Sequence, residues 1–110
     1  MKKYKWEQYM AMLRLINSKI EELIEFSITK ERCFKESTIR LFIKKLTKLC
    51  SSEFKISKHK INGLIRTQLK KEFYPKYILL YVNNQKVYYL KKDKNFVVAV
   101  INGEIHEVII

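Results

Sequence analysis

The residues with the most versatile chemistry in this chain are two histidines, each set near cations or phenols. His59 lies in KISKHKINGLIRTQLKK, with Arg66 and Lys70 further along the same run. His106 belongs to EIHEVII at the end of the chain, and Tyr88 and Tyr89 lie in a neighbouring strand-like run. Cleavage of RNA by its own 2′-hydroxyl asks only for a base, an acid and cations on the phosphate. Either set therefore matches the needs of a small metal-independent ribonuclease toxin. Basic chains assemble such sets by chance, however, and a histidine beside lysines is more often a plain surface residue. A metal centre needs clustered ligands. His59 and His106 stand far apart, and neither has a Cys, His or Asp at ligand spacing. The sequence also lacks a Gly-x-Ser-x-Gly turn, a Walker loop and a paired-carboxylate motif. The expectation is a non-catalytic protein with no metal and no cofactor.

The more abundant chemistry is positive charge. The chain carries a formal net charge of +12. Residues 30–76 hold fourteen basic and four acidic groups, for +10, while 1–29 and 77–110 contribute +1 each. Nineteen of the 23 basic residues are lysine, and Ile, Asn, Tyr and Phe are plentiful, as an AT-rich genome yields without selection for binding. Codon bias does not explain why the excess gathers in the middle of the chain. A concentrated basic field attracts polyanions and speeds their encounter. The candidate nucleic-acid contacts, mainly to the phosphate backbone, are Arg40, Lys44, Lys45, Lys48, Lys58, His59, Lys60, Arg66, Lys70 and Lys71. Asn62, Arg66, Thr67 and Gln68 carry groups able to read base edges, although Gln68 turns toward the apolar side. Tyr77, Tyr81, Tyr88 and Tyr89 lie on adjacent strands, where exposed rings stack unpaired bases. Strand tyrosines more often cover a sheet with the hydroxyl at its rim, and that reading is preferred. KNFVVAVI does not match the glycine-containing sheet motif of RNA-recognition domains.

Three helices must position these groups. Trp6, Tyr9, Leu13, Ile16, Ile20 and Leu23 form a heptad-like seam that predicts a helix over 4–26. The seam packs on the chain's own core in the favoured reading; in the other, part of it pairs with a second copy as a homodimer. Glu21, Glu22 and Glu25 sit unfavourably at the negative end of this helix, and they are expected to face the basic middle of the chain. Residues 27–36 read as a connection, with a helix able to begin as early as Lys30. The second helix spans 37–50, with Ile39, Phe42, Ile43, Leu46, Leu49 and Cys50 inward and Leu41 stranded among cations. SSEFKI at 51–56 turns the chain. The third helix spans 57–73, capped by Ser57 and stopped by Pro75. Ile61, Leu64, Ile65 and Leu69 mark its apolar side. Gly63 falls on its polar side and costs about 1 kcal/mol there relative to alanine. Either a phosphate approaches closely at that point or the position is neutral, and the neutral reading is preferred.

After Pro75 the period changes. Runs at 77–82, 86–91, 96–101 and 104–110 are rich in β-branched and aromatic residues. They break at Asn83-Asn84-Gln85, at Lys92 to Asn95 and at Asn102-Gly103. Asn-Gly is the strongest short hairpin signal, and it sets Ile101 opposite Glu104 and Val100 opposite Ile105. The expected fold is α+β, a single domain over 1–110 with three helices followed by a four-stranded antiparallel meander. In element order only, the helices and the 77–91 hairpin resemble a winged-helix DNA-binding domain, which implies a helix-turn-helix reader built from helices two and three.

The leading expectation is thus a basic protein whose second and third helices engage nucleic acid or a nucleic-acid-bound complex. The rival is a small phage- or plasmid-encoded inhibitor, of the anti-CRISPR or another anti-defence type, that binds a host protein. Two cysteines make no disulfide framework, and a reduced, cytoplasmic protein is the simpler expectation. No run approaches the ~20 apolar residues of a membrane span. Glu7, Gln8 and Arg14 interrupt the N-terminal apolar run, and no small-x-small site follows it, so it does not read as a signal peptide.

Overall fold

The helical periods and the hairpin signals both take physical form. A computed structural model of the chain describes residues 2–30, 33–91 and 96–109. Helix α1 spans Lys2–Thr29, strand β1 Cys33–Lys35, helix α2 Glu36–Glu53 and helix α3 Lys58–Glu72. A 3₁₀ turn, Tyr74–Lys76, leads into β2, Tyr77–Val82, and β3, Gln85–Leu90. Strands β4, Phe96–Ile101, and β5, Glu104–Ile109, follow. The break expected at 92–95, and Ile110, lie outside the described residues.

The α+β class and the order of three helices before the hairpins are as the sequence predicts. The strands divide differently. Instead of one four-stranded meander there are two antiparallel sheets, a three-stranded one in the order β1-β3-β2 and the β4-β5 hairpin. The connection read over 27–36 contains β1, which pairs Phe34 with Tyr88. α2 therefore begins at Glu36 and not near Lys30. With β1 in place, the order up to Leu90 is helix, strand, helix, helix, strand, strand.

Local chemistry sets the boundaries. Ser57 caps α3, its hydroxyl oxygen accepting from the Lys60 amide at 3.4 Å. Pro75 stands in the 3₁₀ turn that follows α3, where a missing amide proton is harmless. Asn83 and Asn84 have φ of 51° and 64°, and Asn102 and Gly103 have 52° and 79°. Both hairpins thus close with two-residue turns whose central positions have positive φ, the geometry that matches strand twist. Val100 faces Ile105 and Ile101 faces Glu104, the register that Asn-Gly predicts.

The core lies between the helices and one face of the three-stranded sheet. Met12, Ile16 and Ile20 of α1 meet Ile39, Ile43, Leu46 and Cys50 of α2 and Ile61, Ile65 and Leu69 of α3. Phe34, Phe73, Tyr77 and Leu90 close it from the sheet side, with Phe73 stacked on Tyr77 at 4.2 Å between ring centroids. Cys50 is wholly buried, and no disulfide joins it to Cys33. Burial pushes the Cys50 thiol up, and Glu53 adds to the shift. The α1 seam is consumed only in part: Ile16 and Ile20 are sealed, whereas Trp6 and Tyr9 stand exposed at its start. Among the described residues, no helix is long and apolar enough to cross a membrane.

The opposite sheet face meets the second hairpin. Leu80, Val87 and Tyr89 are buried on it. Tyr89 donates a hydrogen bond to Glu107 of β5, and Ile105 lines a cavity with Cys33, Val82 and Val87. The molecule is thus layered: helices, three-stranded sheet, two-stranded hairpin.

Candidate functional site

An amphipathic helix that buries one stripe leaves the residues beside that stripe along the seam with its neighbour. On α2, Ile39, Ile43, Leu46 and Cys50 point inward. Arg40, Lys44 and Lys48 recur four residues apart along one flank of that stripe. On α3, Ile61, Ile65, Gln68 and Leu69 point inward, and Lys58, Asn62 and Arg66 recur four apart along the flank. The short turn through Phe54 and Ile56, both half-buried against the core, folds α3 back along α2. The two flanks then line one groove of ≈ 380 Å³, with Ile43 and Thr47 between them.

Five of the ten basic residues singled out in the sequence line this groove: Arg40, Lys44, Lys48, Lys58 and Arg66. Lys45, His59, Lys60, Lys70 and Lys71 are exposed but lie outside its lining. By helical angle, His59 and Lys70 fall on the outer crest of α3, Lys60 and Lys71 on its far flank, and Lys45 on the far flank of α2. Asn62 and Thr47 were not among the phosphate contacts expected from sequence. The four-residue spacing that Asn62 shares with Lys58 and Arg66 is the signal that would have found it.

The cations are unequal. Arg40 is held by Glu36, whose carboxylate also lies 3.7 Å from Lys86 of β3. Among the described residues, no carboxylate forms an ion pair with Lys44, Lys48, Lys58 or Arg66. Arg66 donates from Nε to Asn62 Oδ1 at 2.8 Å. That bond fixes the plane of the guanidinium and leaves its two terminal nitrogens for an anion. Thr47 sits under these groups with its hydroxyl oxygen buried and unbonded.

The base-edge candidates are mostly engaged within the protein. Gln68 is buried and donates to Asn17 Oδ1 of α1 at 2.8 Å, so it faces away from any ligand. Thr67 bonds to the Gly63 carbonyl at 2.9 Å. Asn62 serves Arg66. The strand tyrosines divide as well. Tyr77 and Tyr89 are buried, while Tyr81 is 61% exposed. Tyr88 is half-buried, 5.2 Å from the ring of Tyr74.

The His106 set does not assemble. His106 shares its hairpin face with Ala99, opposite the face of Glu107 that meets Tyr89. Tyr88 lies on the helix side of the sheet, two layers away. His59 and Arg66 are on one helix, about 10 Å apart along its axis at 1.5 Å per residue. Glu21 and Glu25 face Glu72 and Lys76 across a cleft between α1 and the end of α3, and Glu22 pairs with Lys19 at 3.3 Å. These carboxylates therefore meet the rear of α3 and not the groove. Among the described residues, His, Cys, Asp and Glu form no group of three able to hold a metal ion.

The groove is thus lined by cations from both helices. Compared with protein-family models, with curated proteins and with solved structures, the chain matches none.

Proposed function

We propose that this chain is a non-catalytic nucleic-acid-binding protein that grips the phosphate backbone in the groove between α2 and α3. The observation that carries the reading is that groove itself: cations enter it from both helices, and four of the five have no acidic partner among the described residues. Unpaired cations that converge on a concave surface favour a ligand with regularly spaced negative charge. An isolated surface cation would do no more than keep the protein in solution.

Salt titration of oligonucleotide binding, read by fluorescence anisotropy, tests the proposal. Neutralising five phosphates gives a log–log slope of about −4.5 on duplex DNA and about −3.5 on a single strand. Lys44→Ala with Arg66→Ala makes the slope shallower by roughly 2. Lys45→Ala with Lys71→Ala removes the same charge outside the groove and changes affinity less. Binding that ignores salt, or no binding at low salt, overturns the proposal.

A further inference from the structure

The basic groove does not end at the helices. On the helix side of the sheet, residues alternate along β2 and β3, so Tyr77, Leu79, Tyr81, Lys86, Tyr88 and Leu90 share a face. At its base the face is core: Tyr77 and Leu90 are buried. Toward the turn it runs out beyond the helices, and Leu79 is 44% and Tyr81 61% exposed. One chain of contacts ties this apolar surface to the groove. Tyr81 lies opposite Lys86, Lys86 reaches Glu36 at 3.7 Å, and Glu36 holds Arg40 of the groove. Leu79 lies opposite Tyr88, and Tyr88 packs on Tyr74.

We infer that the ligand of this surface is single-stranded nucleic acid, its backbone in the groove and an unpaired base stacked on Tyr81. The inference rests on the proposed phosphate grip and names the ligand of that same site. A cationic groove beside an exposed aromatic ring is the combination that binds single strands, because every base offers a π-face once it is unpaired. A duplex keeps those faces stacked inside and gains nothing from Tyr81. The tip of the first hairpin is also unsuited to entering a duplex groove. It carries Asn83, Asn84 and Gln85 without a cation, and Asn83 Oδ1 would lie 2.7 Å from a Cβ at Gly103, so the second hairpin's turn packs against it.

Four probes of equal length decide the matter by anisotropy at one fixed salt concentration: oligo-dT, oligo-rU, an abasic strand with the same number of phosphates, and a duplex. The expected order places both base-bearing single strands about tenfold or more above the abasic strand, with the duplex below them. Tyr81→Ala weakens the base-bearing strands by about tenfold and leaves the abasic strand unchanged, whereas Tyr81→Phe keeps wild-type binding. Far-ultraviolet circular dichroism confirms that these surface variants stay folded. Equal binding of abasic and base-bearing strands, a preference for duplex, or no effect of Tyr81→Ala overturns the single-strand assignment while the phosphate grip stands. Failure of all four probes at low salt overturns both.

Discussion

At Gly63 an added Cβ would meet nothing within 4 Å, so no packing contact requires glycine there. The backbone at this point is helical, and glycine loses more conformational freedom on folding than alanine does. Gly63→Ala is therefore expected to raise stability by about 0.5–1 kcal/mol, read as a shift in the urea midpoint at unchanged slope. A loss of stability would mean that the open space is filled by something else. Two tyrosines make a second prediction at this scale. Ser27 bonds to the Ile24 carbonyl and shares a hydrogen bond with the Tyr77 hydroxyl. Burial pushes the Tyr77 phenol up, although the Ser27 bond works against the shift. Burial also raises Tyr74, and the neighbouring Tyr88 adds to the effect while Arg66 opposes it. Each folded phenol holds its proton more tightly than it does in the unfolded chain. Unfolding then releases protons above about pH 10, so stability is intact below that pH and falls as pH rises through the higher folded values. Tyr77→Phe is expected to cost about 1 kcal/mol at neutral pH and to flatten the alkaline loss. Denaturant midpoints measured from neutral to alkaline pH check both signs.

Elements were legible where their period was long or their turn chemistry specific. The seam from Trp6 to Leu23 and the stripes of α2 and α3 each cover several turns. Asn102-Gly103 fixed a register down to the residue pair. β1 was not legible, because three residues carry no period and Cys33–Lys35 is a strand only through its pairing with β3. The division into two sheets was hidden for a related reason: alternation tells which residues share a face, not which neighbouring strand they bond. The groove was half legible. Charge density pointed to α2 and α3, but which flank of each helix meets the other depends on how the pair crosses. The four-residue rows Arg40-Lys44-Lys48 and Lys58-Asn62-Arg66 were present in the sequence, yet equally exposed lysines on the other flanks masked them. Contact between the two hairpin turns was equally invisible, and it carries a prediction. Gly103→Ala meets two penalties: positive φ, worth roughly 1–2 kcal/mol for an L-residue, and the clash with Asn83. Asn83→Gly tolerates its own positive φ and removes the carboxamide. The double variant is thus expected to recover the steric part of the loss and keep the backbone part. Simple additivity in this double-mutant cycle would show that the Asn83 carboxamide turns aside without cost.

The whole molecule is long, 56 × 26 × 20 Å, and its layers are unequally secured. The helices and β1-β3-β2 share one core, closed by Phe73 and Tyr77. The β4-β5 hairpin adds a third layer held from one side only. Its outer face leaves Val97 and Ile101 exposed, and its described hold on the sheet includes Tyr89–Glu107 and the contacts around Ile105. An isolated two-stranded hairpin is marginally stable in water, so this layer depends on the sheet beneath it, whereas the sheet has the helices as well. Such a unit opens at lower free energy than the core. Native-state hydrogen exchange is therefore expected to show amides of β4 and β5 exchanging before those of β2, β3 and the buried stretches of α2 and α3. Tyr89→Phe removes one anchor without touching the helical core. It should speed exchange in β4 and β5 and leave the slowest helical amides unchanged. The groove between α2 and α3 lies two layers from the hairpin, so salt-dependent binding in it should survive that loosening. Equal protection in all five strands, or loss of groove binding in Tyr89→Phe, would mean that the third layer is part of the cooperative core and not an addition to it.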